Sequence, residues 1–151
     1  MKSLTTLELD ELLKNNAVTK KYFLGTFPAC MSPLTTRKKY SFLTNTDEHN
    51  KGGIHWCAWM VDGDEITFFD SFGRHPKDPA FPRHFSEIMK NFKLRYSNIQ
   101  LQDFRSNTCG YYCIHFLYIL SLGLDLDYMF YDYSSDFKKN DTVVYNLVCN
   151  L

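Results

Sequence analysis

The stretch Ser106–Leu120, SNTCGYYCIHFLYIL, carries the strongest structural signal in the chain. From Tyr111 to Leu122 almost every residue is apolar or aromatic, and the run is longer than an ordinary strand. That composition predicts a helix buried on all sides over Cys109–Leu122. Ser106, Asn107 and Thr108, just ahead of it, are residues that accept hydrogen bonds from the first helical amides. Cys109 and Gly110 therefore fall in the opening turn. A cysteine there is either a small core residue or a thiol in the positive field of a helix N-terminus, where the thiolate is favoured. The neighbours that the rest of the chain brings to it distinguish the two.

The chain has 151 residues, 44% apolar and 17% aromatic, which suffices for one core and predicts a single domain spanning 1–151. Lys plus Arg and Asp plus Glu number 17 each, a balance that argues against the broad basic footprint of a nucleic-acid-binding domain. The clusters Lys20-Lys21 and Arg37-Lys38-Lys39, and the acids Asp125, Asp127, Asp132, Asp136 and Asp141, read as solvated surface. The opening MKSLTTLELDELLKNN carries acids and no apolar run, unlike a signal peptide, and no stretch reaches membrane-spanning length. Five cysteines at irregular spacing read as free thiols of a reducing compartment.

Thr5 and Glu8 form a capping-box pattern ahead of a short helix whose apolar face is Leu9, Leu12 and Leu13. Strands are expected over Tyr22–Phe27 and Tyr40–Leu43. The run GGIHWCAWMV (52–61), then Asp62-Gly63, then DEITFFD (64–70), predicts a β-hairpin with a type I′ turn. A loop with Pro76, Pro79 and Pro82 leads to a short helix over Arg83–Phe92. SNIQLQDF (97–104) reads as a strand, and beyond Gly123 a short helix near Leu124–Tyr131 precedes an apolar tail from Val143. Without repeats or linkers, this is one α+β domain with a small central sheet, mixed or antiparallel, packed on the buried helix.

Counting outward from Asp62-Gly63 pairs Val61 with Asp64, Trp59 with Ile66, Cys57 with Phe68 and His55 with Asp70. Directly opposed residues hold their Cβ atoms about 4.5–5.5 Å apart, which suits an imidazole bonded to a carboxylate. Beside a helix-start cysteine, these residues have assignable roles. Cys109 is the candidate nucleophile, His55 the proton acceptor and donor, and Asp70 the group that fixes the imidazole tautomer. An oxyanion would be met by the Cys109 backbone N–H and by a side-chain amide upstream: Gln102 on the preceding strand, or Gln100 on the same face. Cys113, one turn beyond Cys109, reads as a buried apolar residue, and so does Cys57. Cys30 and Cys149 lie outside every motif. Trp56, on the face opposite His55, reads as packing. A zinc site using His115 and the two helix cysteines lacks a second ligand pair.

Four stretches in this order resemble the adenovirus-type cysteine proteases, the adenain family of adenoviruses and of Polinton- and adintovirus-like elements. They are YFLGTF at Tyr22–Phe27, GGIHW at Gly52–Trp56, FFDSFG at Phe68–Gly73 and QDFRSNTCGYYC at Gln102–Cys113. A more distant resemblance is to the SUMO- and ubiquitin-like proteases. The resemblance implies a papain-like fold and a catalytic set of His55, Asp70 and Cys109, with Gln102 in the oxyanion hole and no cofactor or metal. It implies viral capsid or core precursors as substrates, cleaved at glycine-containing sites during virion maturation. The setting it implies is the inside of the host cell and the virion, without membrane association. Asp70 stands where adenoviral enzymes carry Glu, as in the SUMO-type group. RYSNIQLQ, ahead of Gln102, lacks the cysteine that tethers an activating peptide in adenoviral enzymes, so no such disulfide is expected and DNA is expected to act at most weakly. The chain after the buried helix is short, which implies a reduced C-terminal helical region. The alternatives are a SUMO- or ubiquitin-like deconjugating protease, and an inactive or zinc-stabilised interaction module on the same scaffold.

Overall fold

The computed structural model describes residues 2–46 and 55–151, so residues 52–54 of the GGIHW stretch lie outside the described residues. Helix α1 (Thr6–Asn15) opens with the expected capping box: Glu8 N donates to Thr5 Oγ1 (3.2 Å) and Thr5 N donates to Glu8 Oε1 (3.1 Å). Leu9 and Leu13 are buried, whereas Leu12 lies at the edge of the apolar face, 42% exposed. Strands β1 (Phe23–Phe27), β2 (Lys39–Asn45), β3 (Trp56–Asp62), β4 (Glu65–Phe69) and β5 (Lys93–Tyr96) form one sheet in that order. The outer pairs are parallel and the inner two antiparallel, giving the mixed sheet of an α+β domain. Helices α2 (His84–Ile88), α3 (Cys109–Ser121), α4 (Leu126–Met129) and α5 (Phe137–Cys149) complete the chain.

Alternation along β3 divides the interior. Trp56, Ala58 and Met60 pack with α3, α1 and α5 on one face, while Cys57, Trp59 and Val61 pack with Phe42, Phe68 and Phe85 on the other. Within α3 every residue but Tyr118 is buried, as its all-round apolar composition requires.

Three expectations need correction. The hairpin turn is Gly63-Asp64, not Asp62-Gly63: Asp62 pairs with Glu65 and Trp59 with Phe68. Gly63 has φ +64° and Asp64 has no positive φ, so the turn follows type II′, with glycine at its first central position. Moving a two-residue turn by one position shifts the pairing by two residues, so each side chain keeps its face. Second, the strand after α2 is Lys93–Tyr96, and the 97–104 segment is irregular, so Gln102 sits on a loop. Its backbone is held by Ser71 O, which accepts from Leu101 N (2.9 Å) and Gln102 N (3.2 Å). Third, the C-terminal apolar tail is part of a 13-residue helix, α5, begun by Asp136, whose side chain accepts from Lys139 N. Its polar first turns hide a buried stripe of Asn140, Val144 and Val148 at helical spacing.

Gly73 is where the turn after β4 and the 97–102 segment touch. Gly73 N donates to Asp70 O (2.8 Å), its φ is +77°, and an added Cβ would lie 2.7 Å from the Ile99 carbonyl carbon and 2.9 Å from Gln100 N. Both neighbours are backbone, so neither can turn aside. Gly73→Ala should lower the unfolding free energy by roughly 2–4 kcal/mol, from left-handed strain plus overpacking. Urea denaturation measures it, and an unchanged midpoint would contradict the close approach.

Candidate active site

The site lies where β3 begins, β4 ends and α3 begins. His55 immediately precedes β3 and Asp70 immediately follows β4. His55 Nε2 meets Asp70 Oδ1 at 2.5 Å, so the two groups paired by counting along the hairpin are joined despite the shifted turn. Cys109 reaches the same point because α3 lies on β3: Trp56 N donates to Cys109 Sγ at 3.5 Å. With Nε2 committed to Asp70, Nδ1 is the atom left to His55 for the Cys109 thiol, and a hydrogen bond between the two side chains helps set the imidazole pKa. Thr108, the N-cap, makes no side-chain bond to the first helical amides, contrary to the capping pattern of the sequence.

Electrostatics here centre on Asp70, whose side chain is fully buried. Its Oδ1 accepts from His55, and its Oδ2 accepts from Arg74 N (3.1 Å) and Arg74 Nε (2.7 Å). A buried carboxylate is tolerable only when its oxygens are engaged in this way. Burial raises the Asp70 pKa, but the bonds and charges of His55 and then Arg74 outweigh it and hold the carboxyl below its ordinary range. Burial likewise opposes the charged imidazole of His55; hydrogen bonds to Asp70 and Cys109, with their charges, overcome it and raise the pKa from 6.5 to about 9. The Arg74 guanidinium lies over the Phe72 ring (5.1 Å) and the Phe81 ring (4.4 Å). Phe72 in turn stacks on His55, centroids 4.5 Å apart at 10°. Sequence reasoning missed Arg74. Its position four residues after the acid, in a proline-containing loop, carries no periodic signal.

Gln102 is fully buried and its amide orientation is fixed at both ends. Oε1 accepts from Ser71 Oγ (2.5 Å), and Nε2 donates to Ser106 O (3.0 Å). A primary amide has two N–H groups, so one remains uncommitted among the described residues. Gln100, the same-face alternative, instead donates to the Gln102 carbonyl (2.8 Å). Ser71 was also missed by sequence reasoning; it is the residue that joins the acid's turn to the glutamine.

Cys113 and Cys57 are buried, and burial pushes both thiols well up. Cys113 donates to the Trp56 carbonyl (3.3 Å). His115 pairs with Tyr133 OH (2.6 Å), away from the helix cysteines, and burial pushes it down to about 4. Donor atoms of His55, Cys57 and Asp70 do lie within 4.8 Å of one another. Both Asp70 oxygens, however, already face His55 and Arg74, so the trio is charge-compensated and makes a poor metal cage. Cys109 opens onto a cleft of about 610 Å³ walled by Leu4, Leu7, Trp56, Phe72 and Phe104. Leu7 and Phe104 are 69% and 63% exposed, giving the cleft an apolar rim. A separate cavity of about 660 Å³ between α1 and α5 contains neither His55 nor Asp70 nor Cys109.

A curated protease of bovine adenovirus 7 is 28% identical to this chain over 142 residues, covering 78% of the chain and 60% of that protein. The crystal structure of the ASFV protease aligns with TM-score 0.64 at 18% identity, covering 94% of this chain and 66% of that one; its selenomethionine form gives 0.59 at 19%. A SUMO protease with its catalytic cysteine oxidised gives 0.37 at 15%, too slight a likeness to argue from. No family model matches the chain. The resemblance to adenovirus-type proteases is borne out by the bovine adenovirus sequence, and the fold is shared with the ASFV protease. This chain spans less than two thirds of either protein.

Because folding raises the His55 pKa from 6.5, its protonated form stabilises the fold fully below that pH, and the contribution is lost as pH rises through about 9. An NMR titration of the His55 ring should therefore show a midpoint near 9. In Asp70→Asn the largest favourable contribution is gone, and the midpoint should fall by about one pH unit or more. A wild-type midpoint at or below 6.5 would contradict the pairing.

Proposed function

We propose that this chain is a cysteine endopeptidase with Cys109 as nucleophile, His55 as proton carrier, Asp70 as the orienting acid and Gln102 in the oxyanion hole. The observation that carries the reading is the meeting of His55, Asp70 and Cys109 at the first turn of α3, with His55 raised to about 9. An imidazole protonated at neutral pH favours a thiolate beside it. The thiolate attacks the scissile carbonyl carbon, and the resulting oxyanion accepts from the Cys109 backbone N–H and the second N–H of Gln102. His55 gives its proton to the leaving amine, and a thioester remains on Cys109. Water then loses a proton to His55 and displaces the thiolate, releasing the acid product.

The bovine adenovirus relative bears the name protease, which supports the same activity here. The proposed substrates are viral capsid or core precursors, cut at glycine-containing sites during virion maturation within the host cell and the particle. No helix among the described residues is long and apolar enough to cross a membrane. No peptide activator tethered through a disulfide is proposed, because RYSNIQLQ offers no cysteine. Arg37 Nη2 donates to Lys21 O (2.5 Å), so the two basic clusters meet, and Lys39 lies 3.8 Å from Asp62, which partly offsets its charge. A joined patch of this kind favours DNA binding, while the overall balance of 17 basic and 17 acidic residues supports a response that is weak and salt-sensitive.

Cys109→Ala should abolish cleavage of Gly-Gly and Gly-x-Gly peptides, whereas Cys113→Ala, buried in mid-helix, should keep most of it. Faster labelling of Cys113 than of Cys109 by iodoacetamide at neutral pH would reverse the assignment. Preferential turnover of SUMO or ubiquitin conjugates would move the reading to the deconjugating proteases. Stoichiometric bound zinc in a protein that cleaves nothing would move it to the interaction module. With a fluorogenic Gly-Gly peptide at low salt, activity should be measurable without additions and rise no more than a few-fold with duplex DNA. An enzyme silent alone and stimulated about a hundredfold would contradict the weak DNA dependence.

A further inference from the structure

Between Leu101 and Thr108 the chain has no regular structure, yet it must carry Gln102 to a fixed place beside Cys109. Both ends of this loop are tied to neighbouring residues of α5. Asn140, 1% exposed, donates from Nδ2 to Leu101 O (3.0 Å). Asp141 Oδ1 accepts from Thr108 Oγ1 (2.9 Å) and from Tyr112 OH (2.7 Å). A hydroxyl has a single proton, so once Thr108 donates to Asp141 it can only accept from Ser106 Oγ, 2.9 Å away. That bond sets the Ser106 residue whose carbonyl receives Gln102 Nε2 (3.0 Å), while Ser71 Oγ holds Gln102 Oε1. Donor and acceptor roles are thus fixed in one direction from a carboxylate on α5 to the amide of Gln102.

We propose that Asp141 is a positioning residue for the oxyanion side of the site, and that α5 clamps the Gln102–Cys109 loop through Asn140 and Asp141. The inference rests on the reading of Gln102 given above. Asp141 touches neither substrate nor thiol; it acts through Thr108 and Ser106. In the nucleophilic half of the site, among the described residues, the Asp70 carboxylate bonds to His55 and Arg74 and not to this chain of contacts. Loss of Asp141 should therefore separate the two halves.

The test measures kcat, KM and the iodoacetamide alkylation rate of Cys109 in Asp141→Leu, Asp141→Asn, Thr108→Val, Gln102→Ala and Asp141→Leu/Gln102→Ala. Urea midpoints identify any variant that is unfolded. Asp141→Leu and Thr108→Val should lower kcat about tenfold or more, with KM and alkylation within about twofold of wild type. Asp141→Asn, which keeps an acceptor oxygen, should retain most of the activity. In the Gln102→Ala background, Asp141→Leu should add less than about twofold, since both act on one interaction. Equal losses in both backgrounds, or alkylation falling in step with kcat, would overturn the proposal, and so would full activity in a folded Thr108→Val. Wild-type kcat in Gln102→Ala would remove the oxyanion reading itself, and this inference with it. A loss in Gln102→Ala but none in Asp141→Leu would overturn the clamp alone.

Discussion

A 13-residue helix without a polar face must be covered on every side, and most of this architecture follows from covering α3. The sheet takes one side through Trp56, Ala58 and Met60, and α1 and α5 take others through Leu9, Leu13, Val144 and Val148. A fully covered helix keeps only its ends near solvent. The end that carries chemistry is the one lodged against the start of β3, so the nucleophile's position is a result of packing. Cys109 opens α3, and His55 stands one residue ahead of β3, the strand on which α3 packs.

The charged part of the site obeys a different constraint. Asp70 is a full negative charge held out of water, and such a group persists only with cationic or donor partners on each oxygen. His55 supplies one and Arg74 the other. Arg74 is itself seated on Phe72 and Phe81, and Phe72 packs on the imidazole, so the same few side chains fix position and charge together. Removing His55 or Arg74 would leave the buried Asp70 charge with one oxygen less well compensated.

Much of this was legible in the sequence because it depends on short-range regularities. The all-apolar run declared α3, strand alternation put His55 and Asp70 on one face, and Thr5 with Glu8 announced the start of α1. The turn was misplaced by one residue, since Asp62-Gly63 and Gly63-Asp64 both suit a tight turn and only the packing of Trp59 against Phe68 separates them. Arg74, Ser71 and Asp141 were not legible. Each is an ordinary polar residue whose role arises from contacts made elsewhere in the chain or across a loop. α5 was obscured because its first turns are polar and its buried stripe includes an asparagine. Periodicity reports which face is apolar; it is blind to a helix whose inward face also does polar work.

The alternation of β3 also distributes the chain's two tryptophans, Trp56 and Trp59, between its two interiors. Trp56 donates its amide to the Cys109 sulfur, while Trp59 is stacked with Phe42 on the far face and bonded through its indole N–H to Thr44 (2.9 Å). The backbone of one tryptophan therefore touches the sulfur, while the other, farther along the same strand, spends its indole N–H on a neighbouring strand and lies on the far side of the sheet. A single strand thus anchors the nucleophile with its main chain and the opposite interior with a side chain.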